Sequence, residues 1–167
     1  MTIQIGDRFP DATLAESTSF GEYCPVAPDS VNVADALKGK RVVIFGVPGA
    51  FTPTCSAQHV PGYLANLEAI KAKKVDEVWC IATNDGFVMA AWGQSEKGIG
   101  KIRFLGDGSA DLVKKLGLEL DLTARGMGIR SQRFSMLVDD GVVKQLNVES
   151  GPKFEVSNAE TMLAQLS

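Results

Sequence analysis

"RVVIFGVPGAFTPTC", Arg41 to Cys55, is the stretch on which the reading of this chain turns. Arg41–Val47 is a continuous apolar run rich in β-branched residues, the pattern of a central strand buried on both faces. Pro48 and Gly49 then turn the chain sharply at the carboxyl edge of the sheet, where open α/β folds hold their sites. Thr52 fits a helix N-cap, and Pro53 fits the first helical position, where a missing N–H costs nothing. Cys55 follows in the first turn, beside amides that lack an intrahelical partner and at the positive end of the helix dipole. Such a setting favours the thiolate, which is the reactive form of cysteine.

Outward from this stretch, strands and helices alternate. Val60, Leu64, Leu67 and Ile70 recur at helical spacing, and Lys71, Lys73 and Lys74 suit the helix C-terminus. "EVWCIAT" (Glu77–Thr83) reads as a second buried strand, "DGFVMAAWGQSEK" (Asp85–Lys97) as a helix and "IRFLGD" (Ile102–Asp107) as a short strand. "SADLVKKLGL" reads as a helix opened by Ser109. "RFSMLVDDGVVKQLNVE" (Arg133–Glu149) holds two alternating strands joined by an Asp–Gly turn, a hairpin signal. Ser157 and Glu160 have the spacing of a capping box before a final helix. "GEYCPVAPD" (Gly21–Asp29), with two prolines, reads as a surface loop. The order implies an α/β fold with a central mixed β-sheet flanked by helices, and one domain over residues 1–167.

Composition narrows the function. A net charge of -3 gives no electrostatic reason to expect nucleic acid or an anionic membrane. "MTIQIGDRFP" lacks the basic start and apolar core of a signal peptide, and no apolar stretch is long enough to span a bilayer, so a cytoplasmic address is expected. Three cysteines, Cys24, Cys55 and Cys80, are too few for a disulfide scaffold, and His59 is the single histidine. No metal or other cofactor is expected. "GDGS" and "RGMGIR" lack the spacing of nucleotide loops and read as turns.

Several thiol chemistries can be set against the spacing. A C-x5-R phosphatase would need arginine at position 61, which is Pro61. Thioredoxin-type exchange would need cysteine at position 58, which is Gln58. A cysteine hydrolase would need a base, and His59 lies one helical turn beyond Cys55, where contact with it is possible and capping, packing and hydrogen bonding all remain open roles.

Pro48, Thr52 and Cys55 match the P-x-x-x-T/S-x-x-C signature, and "VPGAFTPTCSAQHVPGY" extends it. These residues resemble the peroxiredoxins, and in particular their peroxiredoxin 5-type subgroup. The likeness continues through "ATNDGFVMAAWG", "FLGDGSADLVKKLGL" and "RSQRFSMLVDDGVVKQLNVE", from about Gly39 to Glu149. It implies a thioredoxin-like fold and a thiol peroxidase acting on hydrogen peroxide and organic hydroperoxides. Cys55 would attack the peroxide and become a sulfenic acid. Thr52 and the Cys55 amide would donate hydrogen bonds, Pro48 would shield the site, and Arg133 would supply a cation. Arg125 and Arg130 are alternatives near Arg133 whose ordinary role is a solvated surface charge.

Some members of the subgroup carry a resolving cysteine near the C-terminus, and "GPKFEVSNAE" contains none. Cys80, mid-strand, is expected to pack as a small hydrophobe. Cys24 in its loop is an alternative resolving thiol with no motif behind it. The resemblance therefore implies recycling by an external thiol: glutathione with glutaredoxin first, given the "SGPKFEVS" tail, and thioredoxin second. A redox sensor or binding module with little turnover is the rival reading. A homodimer is also implied, with "GMGI" (Gly126–Ile129) as a candidate contact.

Overall fold

The computed structural model describes residues 1–167. Strands β1 (Thr13–Glu16) and β2 (Asp29–Asn32) lead through helix α1 (Val33–Leu37) to β3 (Arg41–Gly46). A π-helical turn, Cys55–His59, runs into α2 (Val60–Ala65) and α3 (Leu67–Lys71). Then come β4 (Glu77–Ala82), α4 (Gly86–Ser95), β5 (Arg103–Gly106) and α5 (Asp111–Leu116). β6 (Glu119–Leu122) and β7 (Gly128–Ser131) form a two-stranded flap, and β8 (Phe134–Asp139), β9 (Val142–Val148) and α6 (Ala159–Gln165) close the chain.

The main sheet runs β2-β1-β5-β4-β3-β8-β9, with β3 parallel to β4, β4 parallel to β5, and the outer pairings antiparallel. This is the mixed α/β sheet of a thioredoxin-like fold. Successive side chains of a strand point to opposite faces, so β3 serves two cores. Val43 and Phe45 join Tyr63, Ile70, Trp92 and Met162 under α2, α3, α4 and α6. Val42 and Ile44 join Leu37, Leu112 and Leu116 under α1 and α5. Full burial of each such side chain is worth about 1.5–3 kcal/mol. At the end of β3, Gly46 lies under Phe134, where a Cβ would clash with the ring.

The hairpin turn is as expected: Asp140 and Gly141 both have positive φ, and the strands flank them. Three local signals were overridden. Ser109 does not cap α5; the Asp107 carboxylate accepts from the amides of Leu112 and Val113 instead. Ser157 and Glu160 do not form a capping box. Asn158 caps α6 by accepting from the Thr161 amide, because Ser157 is held by Glu149. Finally, the helix after Cys55 is not a regular α-helix. Pro61 has no N–H and its ring crowds the preceding turn, and the π-turn absorbs it, with the Val60 amide reaching back to the Cys55 carbonyl.

Candidate active site

The loop Val47–Thr52 is tied down at successive points. The Val47 amide donates to the Ile81 carbonyl (3.0 Å) and the Ala50 amide to Asn84 Oδ1 (2.8 Å). Phe51 takes a left-handed φ of 59° and is largely exposed. Such a conformation costs of order 1–3 kcal/mol in a non-glycine residue, and these bonds hold it. The Thr52 carbonyl accepts from the Ser56 amide, so Thr52 does occupy the N-cap position ahead of Pro53. Its hydroxyl, however, donates to the Gly49 carbonyl (2.7 Å) rather than to an amide or to the sulfur.

Cys55 is fully buried, yet its sulfur has a charged partner. Arg133, just ahead of β8, donates from one terminal nitrogen to Cys55 Sγ (3.1 Å). Its other terminal nitrogen meets His59 Nδ1 (2.9 Å). A guanidinium has no acceptor, so Nδ1 must accept and the imidazole proton sits on Nε2. That proton is donated to the Ser157 carbonyl (3.0 Å), which also receives the Tyr63 hydroxyl (3.0 Å). Burial, and then the neighbouring Arg133 charge, push the His59 pKa down to about 3. His59 is thus a neutral, doubly bonded spacer with no free nitrogen, which removes the base that a hydrolase would require. Phe154 completes the surround, its ring centroid 5.8 Å from Arg133 Cζ and edge-on to His59.

The chain matches the Redoxin family over residues 4–163. It is 47% identical to Peroxiredoxin-2B of Arabidopsis thaliana over 164 residues, covering 98% of each chain. It belongs to the Redoxin family, as a type II peroxiredoxin.

Two crystal structures extend the likeness. Reduced Prx3 from Vibrio vulnificus in complex with hydrogen peroxide is 45% identical, with a TM-score of 0.90, covering 99% of this chain and 100% of that one. Peroxiredoxin 5 from Alvinella pompejana is 31% identical, with a TM-score of 0.83, covering 98% and 97%. As a peroxiredoxin, the protein is a peroxide-reducing thiol enzyme of the peroxiredoxin 5-like kind. No helix is long and apolar enough to cross a membrane.

In this peroxiredoxin a cleft of about 490 Å³ lies beside the site. Pro48, Thr52 and Arg133 form part of its wall, with Leu120, Leu122 and Met127 from the β6–β7 flap. Cys55 does not line it, its side chain being sealed. Arg130 is not a solvated charge: it is part-buried, donating to the carbonyls of Met127 (2.8 Å) and Pro48 (3.3 Å), and it packs on Gly49. Arg125 lines the cleft. All three cysteines are free: Cys24 exposed in its loop, Cys80 buried on β4.

From the sequence, His59 could be a base or could cap, pack or hydrogen-bond; it does hydrogen-bond, but nothing in the sequence named Arg133 as its partner. The available signal was the four-residue spacing from Cys55, which puts both side chains where one bidentate cation can meet them. Glu149, Phe154 and Ser157 carried no local sign of a place near the site.

Proposed function

We propose that the chain reduces hydrogen peroxide and small organic hydroperoxides through Cys55, with Thr52, Arg133 and Pro48 as its active-site partners and an external thiol as reductant. The observation that carries this reading is the Arg133 guanidinium 3.1 Å from Cys55 Sγ. A fixed cation there favours sulfur as an anion and polarises an incoming peroxide. The sulfur attacks the terminal peroxide oxygen, an S–O bond forms and the O–O bond breaks. The departing oxygen takes a proton and leaves as water or an alcohol, and Cys55 becomes a sulfenic acid, oxidised by two electrons. Negative charge moves from sulfur to the leaving oxygen, so donors already aimed there lower the barrier. The Thr52 hydroxyl, bonded to Gly49 at rest, turns to the peroxide when it binds, and Pro48 excludes water. The apolar flap residues of the cleft suit alkyl hydroperoxides, and the peroxide complex of the Vibrio vulnificus relative supports the smaller substrate.

The second half of the cycle needs a thiol from outside. Cys80 is buried on a strand, and Cys24 sits in a loop with no motif for pairing. Glutathione attacks the sulfenic sulfur, expels hydroxide that leaves as water, and forms a mixed disulfide. Glutaredoxin with a further glutathione then restores the thiol. Turnover with glutathione plus glutaredoxin, run against thioredoxin plus its reductase, tests the assignment, and faster turnover in the second system would overturn it. Mass spectrometry after one equivalent of peroxide should find a Cys55 sulfenic acid or its glutathione adduct, not a stoichiometric Cys24–Cys55 disulfide. A homodimer meeting near Gly126–Ile129 follows from the same likeness, and sedimentation velocity would detect it.

A further inference from the structure

Residues 149–158 form neither helix nor strand, yet the end of this tail is held tightly. The buried Glu149 carboxylate accepts from the amides of Glu155 (3.0 Å to each oxygen), Val156 (2.9 Å) and Ser157 (2.7 Å), and from Ser157 Oγ (2.6 Å). Successive amides turned on one anion make a nest. Burying a carboxylate costs several kcal/mol unless its lone pairs are satisfied, and here four donors satisfy them. Desolvation alone would raise the Glu149 pKa, but these bonds, the Ser157 hydroxyl foremost, bring it below its ordinary value. The amide of Glu149 also donates to the Arg133 carbonyl (3.0 Å).

What this nest fixes is the carbonyl of Ser157. That single oxygen receives His59 Nε2 and the Tyr63 hydroxyl, and His59 Nδ1 receives Arg133. Phe154, over the guanidinium, belongs to the same tail. Arg133 has no carboxylate within ion-pair distance. A carboxylate bonded to it directly would compete with the sulfur for its charge. With a neutral imidazole and a backbone carbonyl in between, the anion that anchors the assembly stays three hydrogen bonds away from the cation it serves.

We infer that Glu149 is a positioning residue for the peroxide reaction, its carboxylate setting, through Ser157 and His59, where the Arg133 guanidinium stands relative to Cys55 Sγ. The inference rests on the reading of Cys55 and Arg133 given above. Glu149→Gln keeps the size but loses acceptor capacity, so the tail loosens and the guanidinium drifts from the sulfur.

The test uses the full chain and two readouts: Cys55 oxidation by hydrogen peroxide in stopped flow, and Cys55 alkylation by iodoacetamide at neutral pH. Glu149→Gln should slow both on the order of tenfold, less than outright loss of a charge-stabilising donor. Ser157→Ala, which removes one of the four donors and keeps the amides, should slow both by about two- to threefold on the same grounds. In a His59→Gln background the Glu149→Gln change should add less than about twofold, because residues acting through one network are not additive. Ser157→Ala also keeps the test open should Glu149→Gln fold poorly. A Glu149→Gln protein that melts earlier but reacts like the wild type in both assays would reduce Glu149 to a structural brace and overturn the inference. So would effects that multiply with His59→Gln. A wild-type chain inert to peroxide, with alkylation still slowed by Glu149→Gln, would sink the peroxidase reading while upholding the positioning role.

Discussion

Cys55 and Cys80 are both sealed from solvent and belong to one apolar cluster. Cys55 opens the π-helical turn that follows β3, and Cys80 lies mid-strand on β4, opposite Phe45 in the β3–β4 register. The difference lies in what each sulfur meets. Cys80 meets side chains of the core, and burial, with the neighbouring Cys55 adding to it, pushes its pKa up. Cys55 meets a guanidinium that is itself braced on His59. Burial silences one thiol and, given a fixed cation, equips the other. Exposure, the usual mark of a reactive cysteine, would have pointed to Cys24.

Exchanging each sulfur tests this contrast most strongly. Cys55→Ser should bring peroxide turnover to background in a coupled assay, and retained turnover would break the contrast outright. Next comes the cation. Arg133→Lys offers one compact charge that cannot hold Sγ and Nδ1 together, and peroxide reduction should fall about 100-fold, the scale of one lost charge-stabilising donor.

The brace should count for less in rate but leave its mark on stability. Below pH 6.5 an unfolded His59 takes up a proton that the folded one refuses until about pH 3. The unfolded state then binds more protons, so this residue makes stability fall as pH drops through that window, and its contribution is level above it. Arg133, the buried Phe45 and Tyr63 rings and the half-buried Phe154 ring face the imidazole, with Glu149 farther off. Urea titrations from pH 7 to pH 4 should therefore show a shallower acid loss in His59→Gln than in the wild type. Smallest in activity is Cys80→Ser, with turnover near normal but unfolding easier by about 1–3 kcal/mol, since a hydroxyl replaces sulfur in an apolar setting.

The elements read correctly from the chain were those whose own residues demand them. β3 and β4 are apolar throughout because both faces are covered, and the Asp140–Gly141 turn needs residues that accept positive φ. The short strands β1, β2, β6 and β7 escaped, because four residues such as "DSVN" or "GIRS" carry too little alternation to stand out. Their pairing is decided by neighbours. The same division explains the caps. Ser157 has the right spacing for a capping box, but a carboxylate eight residues upstream claims its hydroxyl.

From the sequence alone came the strand, the turn and the cysteine behind it, since backbone propensities and burial act over a few residues. The resemblance nominated Arg133; nothing in its own neighbourhood marks it out from Arg125 or Arg130. Only the folded chain decided which arginine reaches the sulfur across 78 residues, and that His59 would answer it as a neutral acceptor. It also decided that the tail from Phe154 to Ser157 would close over both. Those contacts depend on where β8 ends and where Glu149 pins the tail, and such positions are set by packing across the whole sheet, not by any local run of residues.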